Sequence, residues 1–294
     1  MAEGRPGFQQ FEESEACKAT WWQNLLYIQS LTDDGLGCLN VTWFLSNDMI
    51  YYILAPLALL PWVYAHRRPK LAVLGFLVVI LFIAIHLASN IWLIAEHNFD
   101  VFRKNEEFMD KLYFKPYTRV APYAIGMLLG YVMHRAGGKV QMKSYLAVIG
   151  WIVCIGVAAT ITLVTYDENK DLDNILVGWP MGGRLVHETL SRPLWGLVVS
   201  WVILACASGY GGFIDSVLSW EGWLPLSRLN FSTYLTHMSV VSLEVIAAEQ
   251  VVMFSWTLVI YKFLAFYVIA NAVGFLLAVS VEFPMVGLEK VFLR

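Results

Sequence analysis

Charge is scarce in this sequence. Only 15% of its 294 residues are Asp, Glu, Lys or Arg, where a soluble domain carries roughly a quarter. Too few charges are available to solvate the surface of a globule of this size. The net charge is −3, so there is no basic excess to engage a phosphate backbone, and nucleic acid is excluded as a partner. Met1 to Gln10 contains no apolar run, which excludes a signal peptide there. The four cysteines include no C-x-x-C spacing, which removes the usual structural zinc pattern; no metal site is expected. Strict apolar–polar alternation is missing as well, and with it the signature of a membrane β-barrel.

Apolar residues fill the space. They make up 58% of the chain against about 45–50% in ordinary soluble domains, and the mean hydropathy is +0.59. One compact core cannot hide that surplus, whereas lipid can. The 12 Trp, 14 Tyr and 17 Phe suit anchoring at the headgroup level. A hydrocarbon core of about 30 Å takes roughly 20 helical residues. Seven segments qualify as candidates: Trp43 to Ala65, Leu71 to Ala95, Val120 to His134, Ser144 to Tyr166, Leu190 to Gly209, Leu229 to Ala248 and Phe254 to Val281. The third is short. The expected fold is all-α, a polytopic transmembrane bundle over residues 43–281, with an extracellular or lumenal segment 1–42 and a cytosolic tail 282–294.

Charge placement orients the bundle. The turn His66 to Lys70, the stretch Arg135 to Lys143, Arg228, and the pair Lys290 and Arg294 fall on one side if the spans alternate. The opposite connections, Glu96 to Arg119, Asp167 to Asn174 and Glu249 to Met253, are mixed or acidic. The positive-inside rule then places the C-terminus in the cytosol and the N-terminal segment outside or in a lumen. Cys17 and Cys38 either pair as a disulfide, if that side is oxidising, or stay two thiols; spacing does not decide. The long charged stretch before the third span reads as a lid or binding loop.

Polar side chains inside apolar spans cost several kcal/mol unless partnered or wet, and so mark candidate sites. Asp48, beside Asn47, either lines a polar cavity or touches water at the interface. Arg119 opens the third span; its guanidinium fork suits a carboxylate or phosphate, and its bland alternative is snorkelling to the interface. His86, with Ser89 and Asn90 nearby, reads first as a helix–helix hydrogen bonder. His237 could act as a base, since the unperturbed imidazole titrates near about pH 6.5. His187 and Glu188 precede Arg192 and Pro193 at the expected mouth of the fifth span, but neighbours on a helix diverge and make a weak acid–base pair.

Several runs together carry a resemblance: Trp21 to Ile28, Thr42 to Met49, Lys115 to Tyr123, Gly126 to Tyr131, Leu190 to Trp195, Gly209 to Gly212, Pro225 to Leu229, Tyr234 to His237, Glu282 to Pro284 and Leu288 to Lys290. In this order they resemble the acyltransferase-3 superfamily, in its nose resistant to fluoxetine-like animal branch, from about Cys17 onward. The resemblance implies an integral membrane protein, in the plasma membrane or an endomembrane. It would transfer an acyl group from a donor such as acyl-CoA to a hydroxyl acceptor, with no bound cofactor, and the branch is also linked with lipid transport. The family's favoured catalytic His lies on helices ahead of the run like Trp21 to Ile28. The chain is therefore expected to be a fragment or shortened isoform covering the later part of the domain.

On this reading His237 is the catalytic candidate, and Asp48, Arg119 and Arg192 bind substrate. No Gly-x-Ser-x-Gly elbow is present, and no His is followed five positions on by Asp, the soluble acyltransferase pattern. The competing reading is a non-catalytic lipid or small-molecule transporter or binding protein. A seven-helix receptor shares the span count but not the motifs. Tags on the two termini are expected to report opposite faces of the membrane; accessibility from one face alone would break the odd span count.

Overall fold

The computed structural model describes residues 17–32, 38–65, 68–99, 106–166, 179–247 and 255–292. His66 and Arg67 of the basic turn, residues 100–105, and the connections Asp167 to Asn174 and Glu249 to Met253 lie outside the described residues. The described elements are helical, with no strand among them. In chain order they are α1 (Trp43–Leu54), α2 (Pro56–Tyr64), α3 (Lys70–His97), α4 (Val120–Arg135), α5 (Ser144–Leu163), α6 (Met181–Ala207), α7 (Gly212–Leu218), α8 (Trp223–Ala247), α9 (Trp256–Leu277) and α10 (Phe283–Phe292).

All seven sequence-read segments fall on helices, with altered bounds. Among the described residues, five helices are long and apolar enough to cross a membrane: Trp43–Tyr64, Lys70–His97, Ser144–Leu163, Met181–Ala207 and Trp256–Phe292. α4 is only 16 residues long, and α8 carries the polar run of the sixth segment. The helix of the fifth segment, α6, begins at Met181, behind the N-cap Pro180, rather than at Leu190. Arg192 and Pro193 are therefore inside a helix and not at its mouth. The last helix passes through a π turn at Ala278–Glu282 and runs on to Phe292, so the residues read as a tail are helical that far. The stretch before α4 is built of short turns: α-helical at Glu106–Phe108, π at Met109–Tyr113 and 3-10 at Pro116–Thr118. There Lys111 Nζ donates to Glu107 at 2.7 Å and holds that carboxyl below its usual value.

The long helices turn large apolar side chains outward. Ile152 and Phe263 are each 66% exposed. Exposure of this kind along whole helices is what a lipid-facing surface looks like and a water-facing one does not. The chain is an integral membrane protein of all-α architecture.

The chain forms two compact units. One comprises residues 23–36 and 43–217. In it α2 packs on α3 so closely that a Cβ at Gly75 would lie 2.3 Å from the Trp62 indole. α6 packs on α3, α4 and α5; a Cβ at Gly196 would approach Pro122 Cα to 3.1 Å, and one at Gly150 would strike Trp201. Small residues at helix crossings are the usual way to let backbones approach in lipid. The other unit comprises 1–22, 37–42 and 218–294. In it Cys17 and Cys38 form a disulfide, Tyr234 donates its hydroxyl to the Val41 carbonyl, and α8 packs on α9. Buried Ser232 donates to Glu282 at 2.5 Å, which supplies the partner that a carboxylate in this helix needs.

Backbone satisfaction explains the polar residues of the first unit. Pro193 has no N–H, so the carbonyl four residues earlier, that of Thr189, loses its helical donor. His86 fills the gap: its Nε2 lies 3.2 Å from the Thr189 oxygen. A carbonyl only accepts, so the neutral ring carries its proton on Nε2. The helices α3 and α6 are thus joined, through two buried residues, by a bond that the proline makes necessary. His86→Leu is expected to lower the unfolding midpoint in detergent, by an amount equivalent to about 1–3 kcal/mol. In a Pro193→Ala background, where the N–H returns, the same substitution should cost clearly less. Equal losses in the two backgrounds would show that His86 serves some other purpose.

Candidate functional site

The irregular stretch Tyr113 to Thr118 shows why Arg119 stands where it does. Away from water, every carbonyl there needs a donor from the protein. Arg119 Nε donates to the Tyr113 oxygen at 2.5 Å, and Asn47 Nδ2 to that of Phe114 at 3.0 Å. Thr118 Oγ1 lies 2.8 Å from the Lys115 oxygen. The Tyr51 hydroxyl donates to Pro116 at 2.7 Å, Ser89 to Tyr117 at 3.3 Å, and Asn90 Nδ2 to Thr118 at 3.1 Å. Side chains from α1 and α3 therefore clamp four of these carbonyls, those of Phe114, Pro116, Tyr117 and Thr118, while Arg119 and Thr118 reach the other two from the turn itself, and the clamp fixes the entry into α4. Asn47, Ser89 and Asn90, which look functional as isolated polar residues in a span, hold this turn.

The clamped turn delivers Arg119 to a cavity of about 530 Å³ between α1, α4 and α6. Its guanidinium lies 4.1 Å from the Tyr113 ring centre and 4.7 Å from that of Trp43. Aromatic faces hold a cation in plane without neutralising it. Among the described residues Arg119 forms no salt bridge with a carboxylate. Arg192 lines the same cavity from within α6. It donates to Asn90 Oδ1 at 3.1 Å and faces Glu188 at 3.4 Å, one helical turn back. Asn90 thus bridges the clamp and the second arginine. Asp48 lines the cavity too, exposed, with Tyr51, Tyr123 and Trp195 among the walls.

Three of the four sequence-derived site residues, Asp48, Arg119 and Arg192, consequently meet in one cavity. His237 does not line it. It belongs to the other unit, where its Nδ1 lies 2.6 Å from the Tyr234 carbonyl. Nδ1 is therefore the donor in the neutral ring, and Nε2 keeps its lone pair. His187 sits 3.9 Å from Glu188, farther than Arg192 does; the carboxylate serves the arginine. Among the described residues no group of three or more His, Cys, Asp or Glu is placed to hold a metal.

Sequence reasoning missed Tyr51 and Tyr113, and it treated Asn90 only as a neighbour of His86. A helical signal was available: Trp43, Asn47 and Tyr51 follow at intervals of four and share a face. Nothing in the sequence indicated that Tyr113, in an irregular turn, would lie under Arg119. Two guanidiniums against one directly bonded carboxylate leave donors unspent. In an aromatic, partly dehydrated cavity, those donors suit an anionic group or an oxygen on which negative charge develops.

The sequence that builds this site is similar to known proteins. The acyltransferase-3 family model, described as an acyltransferase domain, matches residues 10–283. Nose resistant to fluoxetine protein 6 of Caenorhabditis elegans is 22% identical across 95% of this chain and 35% of its own length, so the chain spans about a third of that relative. No solved structure matches. The family match runs through the clamped turn and all three residues that meet in the cavity, and this chain belongs to the acyltransferase-3 family of membrane proteins.

Proposed function

We propose that the protein transfers an acyl group from a donor such as acyl-CoA to a hydroxyl acceptor, with the Arg119–Arg192 cavity as the place that receives the donor. The observation carrying this reading is the convergence of two guanidiniums and Asp48 in one aromatic cavity. In such a transfer the acceptor oxygen attacks the thioester carbonyl carbon and loses its proton to a base. The tetrahedral oxyanion collapses, and the thiolate leaves and is protonated. Arginine donors in the cavity would hold the donor's anionic groups or the oxyanion. Asp48 would orient the polar acceptor. His237 is the proposed proton acceptor, on the strength of its own local geometry, which keeps Nε2 available.

The Cys17–Cys38 disulfide supports placing the N-terminal segment in an oxidising compartment. With the basic turns it favours a cytosolic C-terminus. Binding or transport of a lipid or small molecule without chemistry is the competing reading, and the two part on whether product forms.

Arg119→Lys keeps a cation near Trp43 and Tyr113 but loses the planar fork. Transfer from acyl-CoA, measured in membranes at matched protein levels, is expected to fall by about 10–100-fold; an unchanged rate would overturn the donor-binding role. For His237 the informative measurement is a pH–rate profile. A base accepts the proton only when it is itself unprotonated, so the rate should climb with pH, and His237→Gln should lower the rate and remove that limb. A variant that keeps the limb would show that the base lies elsewhere.

A further inference from the structure

A second and larger cavity, about 1030 Å³, runs beside α4 and adjoins the first. Pro122, Tyr123 and Gly126 line both. From there the larger cavity continues past Met127 and Gly130 to Tyr131, and it ends at His134 and Arg135. Gly126 and Gly130 are four residues apart and share a face of α4. A Cβ built at either would meet nothing within 4 Å. A Gly-x-x-x-Gly pair ordinarily draws a second helix onto its face; here the two positions form the open floor of a groove. Its aromatic end is firm, since the Tyr131 ring packs 4.5 Å from Trp62 and 5.2 Å from Phe76. Its side is apolar, with Leu59 and Val63 exposed to it.

We infer that this groove receives the hydrocarbon chain of the acyl donor, and that the protein prefers long acyl groups to acetyl. The inference rests on the donor-binding reading of the Arg119–Arg192 cavity. The two cavities meet along Pro122, Tyr123 and Gly126, so a donor with its polar end at the arginines directs its chain onto the glycine floor. From Pro122 to Tyr131 α4 advances about 13 Å at 1.5 Å per residue, a length an acetyl group leaves empty and a long alkyl chain fills. His134 and Arg135 close the path with polar groups that a chain end would have to desolvate, and so set an upper limit on chain length. Gly130 becomes the residue that determines chain-length specificity. It lines only the groove, whereas Gly126 borders both cavities.

The test uses the full chain in lipid nanodiscs and palmitoyl-CoA carrying a diazirine near the end of its chain, with adducts mapped by mass spectrometry. Adducts are expected within residues 122–135, suppressed by excess unlabelled palmitoyl-CoA and far less effectively by acetyl-CoA, which shares the polar end but lacks the chain. Gly130→Phe should reduce them severalfold. Gly130→Ala, whose methyl meets no neighbour, should label like the native chain and so controls for folding. Labelling that survives Gly130→Phe, or that falls only outside this segment, would overturn the inference. Suppression by added phospholipid as effective as that by palmitoyl-CoA would assign the groove to bilayer lipid and would also overturn it. The two readings fail separately. Groove labelling in a protein that transfers no acyl group leaves the groove and removes the chemistry. Transfer that is equally fast from acetyl and palmitoyl donors, and indifferent to Gly130→Phe, keeps the chemistry and removes the groove.

Discussion

A buried carbonyl oxygen has no water to turn to, and two stretches of this chain expose carbonyls that an unbroken helix would have satisfied. Pro193 strips the donor from Thr189, and the turn from Tyr113 to Thr118 departs from the α-helical hydrogen-bond pattern. Each unmet group would cost several kcal/mol in hydrocarbon. The answer in both places comes from side chains of neighbouring helices: His86 for the proline gap, and Asn47, Tyr51, Ser89 and Asn90 for the turn. Helix order in this unit follows from that demand, because α1, α3 and α6 must stand close enough to deliver those donors.

The same bonds prepare the site. Arg119 uses Nε to close the Tyr113 carbonyl, which leaves the rest of its fork directed at the cavity. Asn90 gives its amide hydrogens to the backbone carbonyls of His86 and Thr118 and offers its oxygen to Arg192. One amide therefore couples the irregular turn to the second arginine. Placing a cation between aromatic rings at a helix entry, instead of against a carboxylate, keeps its charge available to a ligand.

Much of this was legible in the sequence. The apolar runs marked the helices, because lipid demands about 20 apolar residues in a row and leaves little freedom in composition. Asp48, Arg119 and Arg192 were legible because charge within or beside such runs is expensive. His86 was legible as a helix–helix hydrogen bonder, though not its partner. Other features were hidden. Leu190 looked like a helix start because Arg192-Pro193 interrupts the apolar pattern, yet Pro180 begins that helix and Pro193 is tolerated inside it. Asn47, Ser89 and Asn90 were ambiguous, since a polar side chain in a span can serve a ligand or a backbone and composition does not distinguish them.

The sequence by itself determined that this is a helical membrane protein of the acyltransferase-3 family, since both hydropathy and ordered motifs are properties of the linear chain. Only the tertiary structure decided that residues 48, 119 and 192 share one cavity, and that Gly126 and Gly130 form the floor of a groove running from it. Those facts depend on how helices far apart in the chain pack together. That packing is governed by which carbonyls need donors and where glycine lets backbones approach or leaves a space, and neither is written in any single segment.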